Sequence, residues 1–158
     1  MNYEIVELDD LTFVGLAKTV STVDNKNFQE IPKMWQTFGE KQLFQKLDHL
    51  VDEFGFVGIS YHFNHDAKTF DYMIGIRTNQ SIESLTKVTF KKQTFAKFKL
   101  IGPLPNSIQQ AIPKIFNEWL PQSNYKHSDG PEIEIYTSGD SSSSDYICYY
   151  LLPITSKS

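Results

Sequence analysis

Two carboxylates and a phenol recur at alternate positions in Pro131-Glu132-Ile133-Glu134-Ile135-Tyr136, with isoleucines between them. A β-strand sends successive side chains to opposite faces, so the spacing predicts a strand with Glu132, Glu134 and Tyr136 on one side and Ile133 and Ile135 on the other. If the polar side is wet, this is an ordinary surface strand. If rings enclose it, a carboxylate there attracts an organic cation through charge, helped by ring faces. Apolar surroundings would also raise a glutamate pKa. It could then act as acid or base on a water while a tyrosine hydroxyl polarises a leaving group. The choice depends on what the rest of the chain places around the strand.

Other reactive residues are scattered. His49, His62, His65 and His127 form no zinc-spaced pair. His62 and His65 sit with Asp66 in or beside a polar turn that accounts for them without a metal. No glycine-rich phosphate loop occurs, and neither a metal nor a cofactor is expected. The serines from Ser141 to Ser144 read as a flexible hairpin tip, and Cys148, the single cysteine, excludes an intramolecular disulfide.

The 158 residues suit one domain spanning 1–158. With 15 basic and 19 acidic residues the net charge is −4, and the densest basic pair, Lys91-Lys92, is too small to track a phosphate backbone. Direct nucleic-acid binding is therefore not expected. The first residues lack the basic and apolar regions of a secretory signal. No stretch approaches the ~20 apolar residues of a membrane span, so a cytoplasmic protein is the expectation. Twelve Phe, eight Tyr and two Trp make 14% of the chain, which implies a large aromatic core or a ring-lined cavity.

The elements that must position these residues follow from periodicity. Residues 3–8 and 11–20 read as strands around an Asp9-Asp10 turn. Residues 28–51 carry one apolar stripe and predict a single helix, with Pro32 near its start. Strands are predicted at 56–63 and 70–77, with a loop through 79–87. Then the order recurs: a strand at 94–101, a break at Gly102-Pro103-Leu104-Pro105, a helix at 108–120, a polar loop, and strands at 132–138 and 146–154. Ile31-Pro32-Lys33-Met34-Trp35 matches Ile112-Pro113-Lys114-Ile115-Phe116, and Thr12-Phe13 matches Thr94-Phe95, at nearly one offset. The reading is α+β, two βαββ units of the SHS2 type occupying about 1–80 and 88–156, related by a pseudo-twofold axis with a central cleft. Aligning Ile59-Ser60-Tyr61 with Glu134-Ile135-Tyr136 predicts that Tyr61 and Tyr136 face each other near that axis, with Glu134 replacing Ile59.

The duplication, the Ile31-Pro32-x-Met34-Trp35 helix start, the Gly102-Pro103-Leu104-Pro105 break, Trp119-Leu120-Pro121-x-Ser123 and Pro131-x-x-Glu134-x-Tyr136 together resemble the GyrI-like small-molecule-binding family, also known as the effector-binding domain of bacterial transcription regulators. The resemblance covers essentially the whole chain. It implies a cleft that accepts bulky, often cationic, aromatic compounds, with Glu134 as charge partner. It further implies rings from opposing elements, here Trp35, Tyr61, Phe98, Trp119, Tyr136 and Tyr149. Regulators of this family carry a DNA-binding segment before this domain. Here the domain begins within the first residues, so a stand-alone member is expected. One branch of such members hydrolyses cyclopropane-bearing DNA-alkylating compounds, a role that would fall to Glu134 and a tyrosine such as Tyr136. A third reading, implied by the gyrase-inhibitor name, is a module that masks another protein. Binding ranks first, hydrolysis second and protein inhibition third.

Overall fold

The alternating segments form one antiparallel system of nine strands in the computed structural model, which describes residues 1–158. The strands are β1 (Tyr3–Leu8), β2 (Leu11–Ser21), β3 (Phe56–Asn64), β4 (Thr69–Arg77), β5 (Thr86–Phe90), β6 (Gln93–Ile101), β7 (Tyr125–His127), β8 (Glu132–Tyr136) and β9 (Ile147–Ser156). Their lateral order is β1-β6-β9-β8-β3-β4-β2-β5, with β7 on the far end of β9. The order reads alike from both ends: β3 and β8 meet at the centre, β4 and β2 lie to one side, and β9 and β6 lie to the other. Each half is a βαββ unit, and the symmetry passes between β3 and β8. No helix is long and apolar enough to cross a membrane.

Each half lays its helix on the same face of the sheet. From α1 (Asn27–Glu40), Met34 and Phe38 are buried among Val20, Phe70, Tyr72, Ile74 and Ile76. From α3 (Asn106–Lys114) and the π-helical turn Ile115–Trp119, Ala111 and Ile115 are buried among Ala96, Phe98, Leu100, Cys148, Tyr150 and Leu152. The helices sit over the outer strands β2, β4 and β6, so a groove runs over β3 and β8. The opposite face packs Phe13, Ile59, Tyr61, Met73, Phe95, Ile133 and Leu151 against one another with no helix. It can do so because the sheet curls. The turn at Asp9-Asp10 joins opposite ends of the strand order, as does the turn at Lys91-Lys92, and the Lys92 amide donates to Asp10 Oδ1 at 2.8 Å.

Four elements depart from the sequence reading. The helix expected over 28–51 stops at Glu40. Gln42 takes a left-handed conformation (φ 57°), after which α2 (Leu43–Leu47) leaves in a new direction. The reversal lets Phe44 pack on Trp35, Phe38 and Phe56, contacts that a continuous helix would not make. The strands β5 and β7 fall where the sequence reading has no strand: β7 lies in the polar loop after the second helix, and β5 runs from the end of the 79–87 loop into the unassigned residues before 94, both being short edge pieces. The second helix widens into its π turn just after Pro113, which supplies no amide hydrogen for the regular ladder.

Gly15 pairs with Gly75 where β2 crosses β4. A Cβ on Gly15 would lie 2.1 Å from the Ile74 carbonyl oxygen, and one on Gly75 2.1 Å from that of Val14. Only a shift of backbone could make room. Gly15→Ala should therefore destabilise the fold by about 1–3 kcal/mol, as overpacked sites do. Urea denaturation checks this, and an unchanged midpoint would contradict it.

Candidate functional site

The strand β8 divides its residues as the alternation requires. Ile133 and Ile135 are buried on the helix-free face, while Glu132, Glu134 and Tyr136 lie half-buried in the groove. Across from Glu134 the register puts Gly58 of β3. A side chain there would collide with its neighbours, since a Cβ would come 2.3 Å from the Tyr72 hydroxyl and 3.5 Å from the Trp35 ring. The vacant position lets both residues lean over the strand pair. Trp35 Nε1 donates to the Tyr72 hydroxyl at 3.1 Å, and its ring meets Tyr136 edge to face with centroids 5.2 Å apart. The Tyr136 hydroxyl donates in turn to Glu134 Oε2 at 2.5 Å. Phe44 stacks on Trp35 from behind.

Glu134 has no cationic partner within ion-pair distance, although eight such pairs occur elsewhere in the chain. Burial pushes its pKa up, the Tyr136 hydrogen bond opposes the shift, and the nearby Glu132 adds to it. Burial also raises Tyr136 and Tyr72, and the Glu134 charge raises both further, so the phenols remain hydrogen-bond donors. Beside this cluster, Trp35, Tyr136, Leu104, Ser141 and Tyr146 line an open hollow of about 310 Å³. A larger hollow of about 810 Å³ lies where β8 begins and has Glu132, His127, Phe63 and Phe116 in its walls.

The structure brings Trp35 and Tyr136 to Glu134 and separates the other expected rings from it. Tyr61 and Tyr149 point to the opposite face, where Tyr61 packs on Phe90 and Tyr149 lies under Lys97. The predicted meeting of Tyr61 with Tyr136 does not occur. The register pairs Phe56 with Tyr136 and Ile59 with Ile133, so the alignment of the two halves was displaced by one residue and inverted the face. Phe98 and Trp119 share the Glu134 face but pack edge to face with each other, and Tyr3 meets Trp119 edge-on and Phe98 at a tilt. Sequence reasoning missed Gly58 and Tyr72. An isolated glycine inside a strand pattern was the available signal, since it marks a close approach by another group.

The sequence matches the model of the GyrI-like small molecule binding domain over residues 1–155. No curated protein matches it in sequence. Among solved structures, SAV2435 bound to tetraphenylphosphonium superposes with a TM-score of 0.85 at 23% identity, covering 98% of this chain and 94% of the other. A Staphylococcus aureus MU50 protein proposed to act in bacterial transcription regulation gives 0.84 at 24% identity, covering 98% and 99%. A hydrolase encoded by lin2189 from Listeria innocua gives 0.53 at 11% identity, covering 97% and 91%. These likenesses establish the fold.

The raised Glu134 pKa carries a consequence for stability. A carboxyl that holds its proton more tightly in the native state than in the unfolded chain costs no stability below its ordinary pKa, and the cost grows as the pH rises towards the raised native pKa, above which it is fully present. Glu134→Gln should therefore raise the thermal midpoint at pH 7. The gap should close as the pH falls below the ordinary glutamate range. A variant less stable than the parent at pH 7 would contradict this account.

Proposed function

The chain belongs to the GyrI-like small molecule binding domain family, and on that premise we propose that it binds bulky aromatic cations in the groove over β3 and β8. Glu134 acts as the charge partner, and Trp35, Tyr72 and Tyr136 act as the rings. The observation that carries this reading is a walled-in carboxylate held by one phenol and no cation. A buried charge without a partner costs several kcal/mol, and an arriving cation would offset that cost. Tetraphenylphosphonium in the similar SAV2435 is a ligand of this kind.

A cation about 4 Å from a carboxylate gains about 4 kcal/mol at an effective dielectric near 20, reduced by desolvation of both groups. Each ring face adds about 0.5–2 kcal/mol. Flat walls make few directional hydrogen bonds, so the protein accepts a range of scaffolds. The 310 Å³ hollow is at the small end for ligand sites. A bulky cation therefore displaces the Trp35 ring from Tyr136 and takes its place beside Glu134. Binding requires the ionised carboxylate, so affinity falls as the pH drops through the raised Glu134 pKa.

In calorimetric titrations with tetraphenylphosphonium, Glu134→Gln should weaken binding by roughly 10- to 100-fold, about 1.4–2.7 kcal/mol. The variant should also lose the acid-side pH dependence. Binding of the neutral analogue triphenylphosphine oxide should change little. Equal losses for the two ligands would refute the charge-partner role.

A hydrolytic reading draws on the hydrogen bond from Tyr136 to Glu134, which sets a phenol beside a carboxyl of raised pKa. Incubation with a cyclopropane-bearing alkylator, followed by mass spectrometry, tests it. The ring-opened product should form with the parent protein and vanish with Glu134→Gln. No product with the parent removes the reading.

A further inference from the structure

The second carboxylate of β8 is held differently from the first. Glu132 lies two residues from Glu134 on the same face, about 7 Å along the strand. Its Oε1 accepts the Tyr150 hydroxyl at 2.5 Å, and its Oε2 meets His127 Nε2 at 3.0 Å. The other ring nitrogen, His127 Nδ1, bonds to the Ser128 carbonyl oxygen. The Ser128 carbonyl can only accept, so Nδ1 carries a hydrogen, and the Glu132 carboxyl at Nε2 favours a second one, which makes the imidazolium the form that this pair stabilises. Phe116 stacks on it at 6.2 Å and Phe63 meets it edge-on at 6.1 Å, which fixes its plane. Glu132 thus has a built-in counter-cation, and Glu134 has none.

We propose that Glu132 is a masked second cation partner, and that His127 is the specificity-determining residue that makes the groove prefer singly charged over doubly charged aromatic ligands. This rests on the cation-binding reading above. With His127 protonated, the groove offers one uncompensated negative charge, and a second positive charge on the ligand would meet the imidazolium. Without that proton, two carboxylates stand about 7 Å apart on one strand face. The adjoining 810 Å³ hollow has room for an extended ring system.

The neighbouring charges do not take over the role of His127. The end of the second helix contributes Phe116 and Leu120 to the hollow, neither charged. From the β3–β4 hairpin come His62, which is bonded to Asp71, and His65; from the β5–β6 turn comes Lys91, which lies towards Asp10. Asp129, beside His127, supports its positive charge, while Tyr150 and Glu134 lie on the sheet side of Glu132. The Glu132 hydrogen bond holds His127 above the ordinary histidine range, with burial opposing.

Two probes separate the outcomes. Methyl viologen is a flat aromatic dication whose charges are spaced comparably to the two carboxylates, and tetraphenylphosphonium is a monocation. Both are titrated by calorimetry into the parent protein, His127→Gln and the double variant His127→Gln/Glu132→Gln. The single variant should tighten viologen binding about tenfold, or about 1.4 kcal/mol. Tetraphenylphosphonium should gain no more than about threefold, since one charge feels the loss of the imidazolium less than two. The double variant should lose the viologen gain. An equal gain for both probes, or a gain that survives in the double variant, overturns the proposal. In the parent protein the viologen-to-phosphonium affinity ratio should rise with pH through the His127 titration, a readout that needs no substitution, and a flat ratio also overturns it. Failure of tetraphenylphosphonium to bind the parent protein would instead bring down the cation-binding reading, and this inference with it.

Discussion

The register that sets Gly58 opposite Glu134 is the constraint on which the groove depends. In an antiparallel pair, directly opposed side chains stand about 4.5–5.5 Å apart, so the residue across from a carboxylate decides whether it is covered. A side chain there would occupy the place now taken by the Tyr72 hydroxyl and the edge of Trp35. Glycine leaves the space to residues from the adjacent strand and from α1. Three separate elements thereby converge on one carboxylate: β4 through Tyr72, α1 through Trp35, and β8 itself through Tyr136. The hydrogen bonds from Trp35 to Tyr72 and from Tyr136 to Glu134 follow from that convergence.

The two glutamates of β8 show two ways of holding a carboxylate in a half-buried strand. Glu132 is closed by a histidine cation and a tyrosine hydroxyl, so both oxygens have partners inside the protein. Glu134 receives one phenol, and desolvation raises its pKa. A fold selected for stability alone would favour the first arrangement at both positions, because an incompletely compensated buried charge opposes folding. That the second occurs at the middle of the sheet, where the symmetric halves join, fits a site completed by something outside the chain. The surrounding rings strengthen this view, since they bring bulk and ring faces without adding a competing cation.

Much of the architecture was legible in the chain because it depends on periodicity. The strand and helix patterns survive as β1 to β4, α1, β6, the second helix, β8 and β9. The face of Glu134 was legible for the same reason, since alternation in Glu132-Ile133-Glu134-Ile135-Tyr136 leaves no other choice. What lies on that face with it was harder to read. Tyr61 rests on aligning the halves, and a shift of one residue in that alignment moves a side chain through the sheet; Tyr149 rests on the family resemblance, and the alternation of β9 turns it to the helix-free face. Phe98 and Trp119 have the right face but the wrong position along it, a distinction set by tertiary packing against Tyr3. The break at Gln42 left no mark in the apolar stripe, because the residues beyond it remain apolar at helical spacing while the chain changes direction.

The curled sheet also limits how the groove can adapt to ligands of different shape. The edge strand that precedes each βαββ unit pairs with the other half, β1 with β6 and β5 with β2. The halves cannot separate without breaking these ladders as well as the central β3–β8 pair. The groove floor is therefore rigid, and the aromatic core on the helix-free face, with Phe13, Ile59, Phe95 and Ile133 fully buried, resists bending. Freedom is confined to what stands on that floor. Trp35 rests on Phe44, whose segment joins α1 only through the reversal at Gln42, and the 310 Å³ hollow is lined on its other side by Leu104, Ser141 and Tyr146. On the proposed cation-binding reading, breadth of ligand choice would follow from a fixed charge beneath adjustable rings: the floor would keep Glu134 in place while the side chains above it moved to the outline of the cation.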